Sequence, residues 1–482
     1  MRSFLAVAPL LLMMGCATTA DDAADPEGDS SDLTASDLIF SPAPADANHL
    51  TKIAQEIDAA KSTIDIAIYS FSDAGIKDAL GRAVGRGVKV RLVFNDAGEQ
   101  ERMTGAAKSG SMSGQLEALG VDVRFVNKIM HHKFMIVDGP RDEAARAAKA
   151  RLVTGSANWS SSAATKFDEN TLFIKSNARL VTLFQKDFDT MWSHSRDFVG
   201  KPLVQELSTA DLSKVPEKSG SNVYFTSSNF SVKETTFSTT GENTVADALV
   251  AAIQGAEKSI HLASGHLRSR LVAEALVAKK KAAPNLDIRV YLDGQEYISE
   301  TSHDFQVKDV QACLLKTGDS EPKRRTCLDK GFLFGHQVGA EGVDVRYKYY
   351  AYRWDFTYAP QMHHKYMVVD AKTLYTGSYN LSDNAEHDTF ENMMELSGRS
   401  NASVVKAFEA NFEKIWNTGR EEDKLAALSA RIADGGEIPI VFDSMALSGG
   451  EIAKLKATIK TTCPAVDSAA YRQAASSHKT CK

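Results

Sequence analysis

Apolar positions along the chain follow two alternating rhythms. Between 47 and 60 they recur as Leu50, Ile53, Ile57 and Ala60, a spacing that puts them on one face of a helix. Ile64-Asp65-Ile66-Ala67-Ile68-Tyr69 follows and reads as a strand. A helix over 76–84 is ended by Gly85 and Gly87, and 88–94 is the next strand. The succession then returns: helix 243–256, strand 259–263, helix 272–281, strand 286–292. Each half closes on aromatics four apart, Phe184, Phe188 and Trp192 in one, Phe408, Phe412 and Trp416 in the other, which predicts helices anchored in a core. Helix alternating with strand predicts an α/β fold with a mainly parallel sheet in each half.

Offsets between the two copies locate the insertions. Leu92 corresponds to Val290, 198 positions on, and Val121 to Val343, 222 on, so the second copy gains 24 residues that include Cys313 and Cys327. His131 to His363 spans 232 and Ser156 to Ser378 spans 222, so 10 further residues precede the second motif and 10 extra in the first copy fall within 139–150. The aromatic run 347–358 leads into the second motif. It reads either as a packed hairpin or as a substrate wall, since Tyr and Trp suit a lipid–water boundary. Lys323-Arg324-Arg325 reads as a solvated turn.

Each half also carries three polar signatures in one order. The first has Met130-His131-His132-Lys133, then Phe134 to Val137 and Asp138, then Gly155-Ser156-Ala157-Asn158, then Glu169-Asn170. The second has Met362-His363-His364-Lys365, then Tyr366 to Val369 and Asp370, then Gly377-Ser378-Tyr379-Asn380, then Glu391-Asn392. Four apolar residues between polar ends predict a buried strand, on which His131 and Lys133 share a face and His132 takes the other; His363, Lys365 and His364 repeat this. Lysine supplies fixed positive charge, and histidine can attack or transfer a proton near neutral pH. Glycine permits a sharp turn before the serine and asparagine, which offer neutral hydrogen bonds. A carboxylate on one histidine nitrogen would fix its tautomer. A lone HxK is ordinarily a strand end and a lone GSxN an ordinary turn; recurrence of the whole set in both halves is what points to chemistry.

This doubled order of HxKxxxxD, GSxN and EN resembles the phospholipase D superfamily, whose members build one active site from two such motif sets. The resemblance implies an α/β fold of two repeats, each a mixed, mainly parallel sheet flanked by helices, related by a pseudo-twofold axis. It implies that one histidine attacks phosphorus to form a phosphohistidine, while the other protonates the leaving oxygen and then activates water or an alcohol. His131 is assigned as nucleophile and His363 as acid, although the reverse suits the same motifs. By the same resemblance Lys133, Lys365, Asn158 and Asn380 would hold the non-bridging oxygens, with Ser156 and Ser378 assisting. Glu169 and Glu391 would orient the histidines, and Asp138 and Asp370 would be structural. The scheme calls for no metal and no cofactor, because the lysines supply the positive charge. One neutral and one protonated histidine imply a bell-shaped pH profile.

Length and composition fit this scheme. The chain has 482 residues, enough for two ordinary domains, with 43% hydrophobic and 24% charged residues. A net charge of −6 gives no support to a broadly basic nucleic-acid surface. Residues 1–16 carry one positive charge, a short apolar run and Gly15-Cys16, which reads as an export signal and resembles a bacterial lipoprotein box with Cys16 as the lipidated residue. Simple cleavage near 17–20 is the alternative, and Ala17 after the cysteine suits the outer membrane. Export makes Cys313–Cys327 and Cys463–Cys481 expected disulfides, and neither pair has the close spacing of a metal site. The expected organisation is a signal at 1–16, a disordered acidic tether at 17–36, repeats at 37–200 and 221–418 around a junction at 201–220, and an appendage at 419–482. The expected substrate is a membrane glycerophospholipid, hydrolysed or used as a phosphatidyl donor by a monomer that holds both motif sets. A secreted nuclease of the same superfamily, cutting DNA or RNA, is the alternative.

Overall fold

The computed structural model describes residues 33–202, 207–217, 219–328, 331–354, 358–435, 438–462 and 480–481. The export signal, Cys16 and Cys463, and with it the Cys463–Cys481 pairing, lie outside the described residues.

One sheet is built from β1 (Leu38–Ser41), β2 (Thr63–Ile68), β3 (Lys89–Phe94), β4 (Asp122–Phe125), β5 (Lys133–Val137), β6 (Arg151–Gly155), β7 (Glu169–Lys175) and β8 (Arg196–Asp197), in the order β1-β7-β6-β5-β2-β3-β4-β8. The other is built from β9 (Ser221–Phe225), β10 (Ser259–Ser264), β11 (Asp287–Asp293), β12 (Asp344–Ala351), β13 (Lys365–Val369), β14 (Thr373–Gly377), β15 (Asn392–Leu396) and β16 (Val441–Ser448). Its order, β9-β15-β14-β13-β10-β11-β12-β16, repeats the first strand for strand. The sheets are mixed, as expected, but not mainly parallel. Only β2-β3-β4 and β10-β11-β12 run parallel, and the remaining pairings are antiparallel. The cause is the path of each connection. Helical crossovers such as α2 (Ala74–Gly85) and α5 (Arg270–Ala282) return the chain to the same end of the sheet, whereas the connections between the motif strands turn back at one end and reverse it.

Helices α1 (His49–Asp58) and α2 cover one face of the first sheet, where Ile53, Ile57, Ile76 and Leu80 pack on Ile64, Ile66, Leu92 and Phe94. Asn48 and Asp73 cap them by accepting the Thr51 and Ile76 backbone N–H groups. Helix α4 (Thr244–Gly255) and α5 do the same for the second sheet. The opposite faces meet in one continuous buried cluster with α3 (Ala178–Ser193) and α6 (Ala402–Trp416), which includes Phe184, Phe188 and Trp192 together with Phe408, Phe412 and Trp416. The aromatic anchors expected from their spacing of four are therefore the joint between the halves.

Buried charge also ties each closing helix to its sheet. Asp65 accepts from Arg91 at 2.8 Å and from Gln185 at 2.9 Å, and Arg141 also binds it. In the second half His261 holds the position equivalent to Asp65, bonding Glu409 at 2.6 Å, while Arg289 binds Asp287 and Glu413.

Three expectations are corrected, and the packed reading of the aromatic run is favoured. Residues 33–36 are not tether: Leu33 is buried and its N–H bonds Ser400 O, because an apolar residue there finds a pocket on the second half. The stretch after 418 is not an appendage, since β16 pairs with β12 and satisfies what would otherwise be an open sheet edge. The aromatic run is mostly core among its described residues: Tyr347, Tyr349 and Tyr350 are buried because β12 is covered on both faces, Tyr358 is half-buried, and Trp354 is 45% exposed. Lys323-Arg324-Arg325 lies in the helix Glu321–Leu328, not in a turn. The Cys313–Cys327 disulfide is present and joins that helix to Glu300–Leu315.

Burial pushes the Asp65 carboxyl up, but Arg141 and Arg91 outweigh it and bring it down to about 2. Its contribution to stability is therefore present above its ordinary 3.8 and lost as pH falls through about 2. Asp65→Ala leaves two arginines without their buried partner and should lower the free energy of unfolding at neutral pH by about 3–5 kcal/mol. Urea titration checks this, and a loss under ~1 kcal/mol would refute the ion pair's structural role.

Candidate active site

The motif strands β5 and β13 are buried along their whole length, in mid-sheet, and begin at Lys133 and Lys365. Register places Lys133 opposite Ile68 and Lys365 opposite Ser264. Each lysine Nζ donates to the carbonyl of the histidine two residues before it, Lys133 to His131 at 2.7 Å and Lys365 to His363 at 2.8 Å. The expected sharing of a face by His131 and Lys133, and by His363 and Lys365, is present.

The backbone then crosses between halves. Ile129–Met130 pairs with Thr389–Phe390, and the His131 N–H donates to Phe390 O at 3.1 Å. In mirror fashion Asp168 bridges to Met362, and the His363 N–H donates to Asp168 O at 3.0 Å. Phe390 and Asp168 each precede a motif glutamate, so each histidine reaches the carboxylate of the other half. His131 Nδ1 lies 2.7 Å from Glu391 Oε1, and His363 Nδ1 lies 2.6 Å from Glu169 Oε1. The middle histidines repeat the exchange on the opposite face: His132 Nδ1 meets Asn392 Nδ2 at 3.0 Å, and His364 Nδ1 meets Asn170 Nδ2 at 3.2 Å. Such reciprocity, i to j and j to i, is the mark of a twofold relation between repeats. The sequence reading placed Asn170 and Asn392 within the motif without a role; they join the halves beneath the catalytic face.

The other candidates fall into two groups. Asn158 and Asn380 have side-chain oxygens that are buried without a hydrogen-bond partner among the described residues. Ser156 and Ser378, expected to assist at phosphate oxygens, are fully buried and engaged elsewhere. Each hydroxyl accepts the N–H of Asn170 or Asn392 at 3.0 Å and steadies Glu169 or Glu391. The preceding glycines serve close approach rather than a turn, because a Cβ at Gly155 or Gly377 would stand 2.3 or 2.2 Å from the neighbouring strand's carbonyl oxygen. Asp138 and Asp370 lie at the far strand ends, where Asp138 accepts from Lys61 N and Ser62 N and Asp370 from Glu257 N and Lys258 N, fixing the start of β2 and β10.

Sequence reasoning missed several neighbours. Tyr69 packs its ring 4.6 Å from that of His131 and 5.2 Å from Lys133 Nζ. His49 bonds the Asn158 carbonyl at 3.0 Å through Nε2. Asp293 accepts the Met362 N–H at 2.7 Å, and Lys348 pairs with Asp168 at 2.8 Å. Tyr69 directly follows β2, which adjoins the motif strand β5, and Asp293 ends β11 one strand further from β13; their place at these strand ends was the available signal.

Burial sets the electrostatics. It pushes both imidazoles well below their ordinary value, and Lys133 and Lys365 push further in the same direction. Burial also brings Lys133 down to about 7 and Lys365 to about 8. It raises Glu169 and Glu391 to about 7 against the pull of the lysines. The His363 ring adds to the downward push on His131. With Nδ1 committed to a carboxylate, each histidine presents Nε2 as its working atom.

A doubled α/β fold whose two halves exchange histidine and glutamate across one site defines the class of this protein. The family described as cardiolipin synthase, PLD-like domain matches residues 53–192 and 249–416, and the chain belongs to this phospholipase D-like family. Among curated relatives, mitochondrial cardiolipin hydrolase of Drosophila melanogaster is 33% identical over 156 residues, 30% of this chain and 58% of that protein. The Homo sapiens protein of the same name is 32% identical over 145 residues, 30% of this chain and 50% of its own length. The chain therefore spans little more than half the length of these relatives. Phosphatidylserine synthase of Haemophilus influenzae is similar in structure with a TM-score of 0.48 and 13% identity, covering 79% of this chain and 87% of that one.

The crossing makes a directional prediction. Glu391→Gln should shift the His131 ring nitrogen resonances and leave those of His363 nearly unmoved, and Glu169→Gln should do the reverse. Nitrogen-15 NMR of ring-labelled protein reads both, and a same-half pattern would refute the exchange.

Proposed function

We propose that this protein is a phosphodiesterase of phospholipase D type that hydrolyses glycerophospholipids, or transfers their phosphatidyl group to an alcohol, through a phosphohistidine. The carrying observation is the pair of crossed histidine–carboxylate couples beside two buried lysines. In this reading His131 Nε2 attacks phosphorus while His363 gives its Nε2 proton to the leaving oxygen. His363 then takes a proton from water, or from an alcohol, whose oxygen displaces His131 from phosphorus. Lys133, Lys365, Asn158 and Asn380 hold the non-bridging oxygens, the asparagines by donating from their amide Nδ2–H groups. Ser156 and Ser378 act through the carboxylates. Glu391 and Glu169 fix the tautomers and stabilise each imidazolium as it forms. The lysines stabilise charge developing on the phosphoryl oxygens in a site with little water.

A lipid substrate is favoured by the cardiolipin hydrolase name of the relatives and by the acidic net charge of −6, which suits a nucleic-acid track poorly. We further propose that the chain is exported and held at the outer membrane through Cys16. No helix among the described residues is long and apolar enough to cross a membrane.

The protein, without added metal, should release choline from phosphatidylcholine vesicles and leave single-stranded DNA intact; cut DNA without choline would instead support a nuclease. His131→Ala and His363→Ala should each lower turnover by roughly 10³-fold or more, and a fully active single variant would exclude one shared site. The pH profile of kcat/KM should be bell-shaped. On the acid side His131 must lose its proton to attack. On the basic side His363 must keep the Nε2 proton that it gives to the leaving oxygen, and Lys133 and Lys365 in turn lose their charge as pH passes about 7 to 8. A flat profile from about pH 4 to 9 would refute the assignment.

A further inference from the structure

The repeat supplies an internal control for what each half needs. Tyr69 and Gly265 are equivalent: each donates its backbone N–H to the middle histidine of its motif, Tyr69 to His132 O at 2.9 Å and Gly265 to His364 O at 3.1 Å. Ser72 and Arg268 are equivalent too, donating to Trp159 O at 2.9 Å and Leu381 O at 2.7 Å. Asn95 and Asp293 both accept the N–H that precedes the motif histidine, from Met130 and Met362, which makes Gly98 the counterpart of Glu296.

The second half thus replaces Tyr69, Ser70, Ser72 and Gly98 with Gly265, His266, Arg268 and Glu296. Three of these changes bond to one another. Glu296 is fully buried and accepts from His266 Nδ1 at 2.9 Å, Leu267 N at 3.3 Å, Arg268 Nε at 3.0 Å and Arg268 Nη2 at 2.7 Å. The fourth removes the aromatic wall. Where Tyr69 screens His131, Gly265 leaves the flank of His363 without a side chain; a Cβ there would stand 3.0 Å from Met362 O and 4.0 Å from His363 Cδ2.

A purely structural ion pair does not account for this cluster. The first half folds in the same topology with neutral residues at these positions. A buried carboxylate is costly unless fully bonded, and Glu296 spends its bonds on aiming two cations. His266 and Arg268 remain partly exposed, with side-chain exposures of 22% and 32%, and His266 Nε2 and Arg268 Nη1 make no hydrogen bond among the described residues. His266 is near enough to His363 to act on it electrostatically. Guanidinium forks match phosphate and carboxylate oxygens.

We propose that His266 and Arg268, aimed by Glu296, form a second anion subsite on the His363 side of the scissile phosphate, taking a diester lipid that bears a further phosphate or carboxylate there. The lipid identity rests on the phospholipid reading above; the anion subsite does not. Two arms separate them. In mixed micelles, kcat/KM for cardiolipin, with two phosphates, is compared with that for phosphatidylglycerol, with one. By calorimetry on the full chain, affinity for pyrophosphate is compared with that for inorganic phosphate. The wild type should prefer the doubly anionic partner in both arms. Arg268→Gln should reduce that preference about tenfold, and Arg268→Lys, which keeps charge but not the fork, should fall between. Thermal melting of each variant confirms that it is folded. Loss of the pyrophosphate preference without turnover of either lipid upholds the subsite and refutes the lipid reading. No wild-type preference in the calorimetric arm, or an Arg268→Gln loss equal for both members of each pair, overturns the subsite.

Discussion

The candidate site depends on a backbone crossing. Each half lends the carbonyl before its glutamate to the N–H of the other half's histidine, His131 to Phe390 and His363 to Asp168. Two backbone hydrogen bonds therefore decide that Glu391 faces His131 and Glu169 faces His363. Neither half holds a complete histidine–carboxylate couple, so the couples exist only when the halves are docked. The aromatic joint of α3 and α6 and the paired amides Asn170 and Asn392 hold them in that register.

The same docking encloses the charge. Two lysines, two histidines and two carboxylates are taken out of water together, and their mutual interactions keep the arrangement tolerable. Burial drives lysines and histidines down and glutamates up, so the lysines and glutamates, which would titrate far apart in water, converge near neutrality while the histidines fall well below their ordinary value. Asp138 and Asp370, by contrast, sit at the opposite strand ends and hold backbone rather than substrate.

The repeats agree in topology and differ in side chains, and the two kinds of difference have different meanings. At the closing helices, Asp65 with Gln185 becomes His261 with Glu409, so opposite charges perform one structural task. At the mouth of the site, the substitutions that set Gly265, His266, Arg268 and Glu296 apart change what the surface presents. The first half walls its histidine with Tyr69, whereas the second opens and charges that flank.

Much of this was legible in the chain. Periodicity placed the helices and strands to within a few residues, the aromatic spacing of four announced core anchors, and the doubled motif picked out side chains that meet in the candidate site, because local backbone preference and short polar patterns are properties of neighbouring residues. Strand direction was not legible, since it follows from how each connection returns across a sheet. The duties of Ser156 and Ser378, the edge strand formed by 441–448 and the burial of Tyr347 to Tyr350 were hidden for the same reason. Which glutamate serves which histidine was beyond sequence altogether: Glu169 and Glu391 are identical in local pattern. Only the packing of one half against the other, acting over more than two hundred positions of chain, could choose between them.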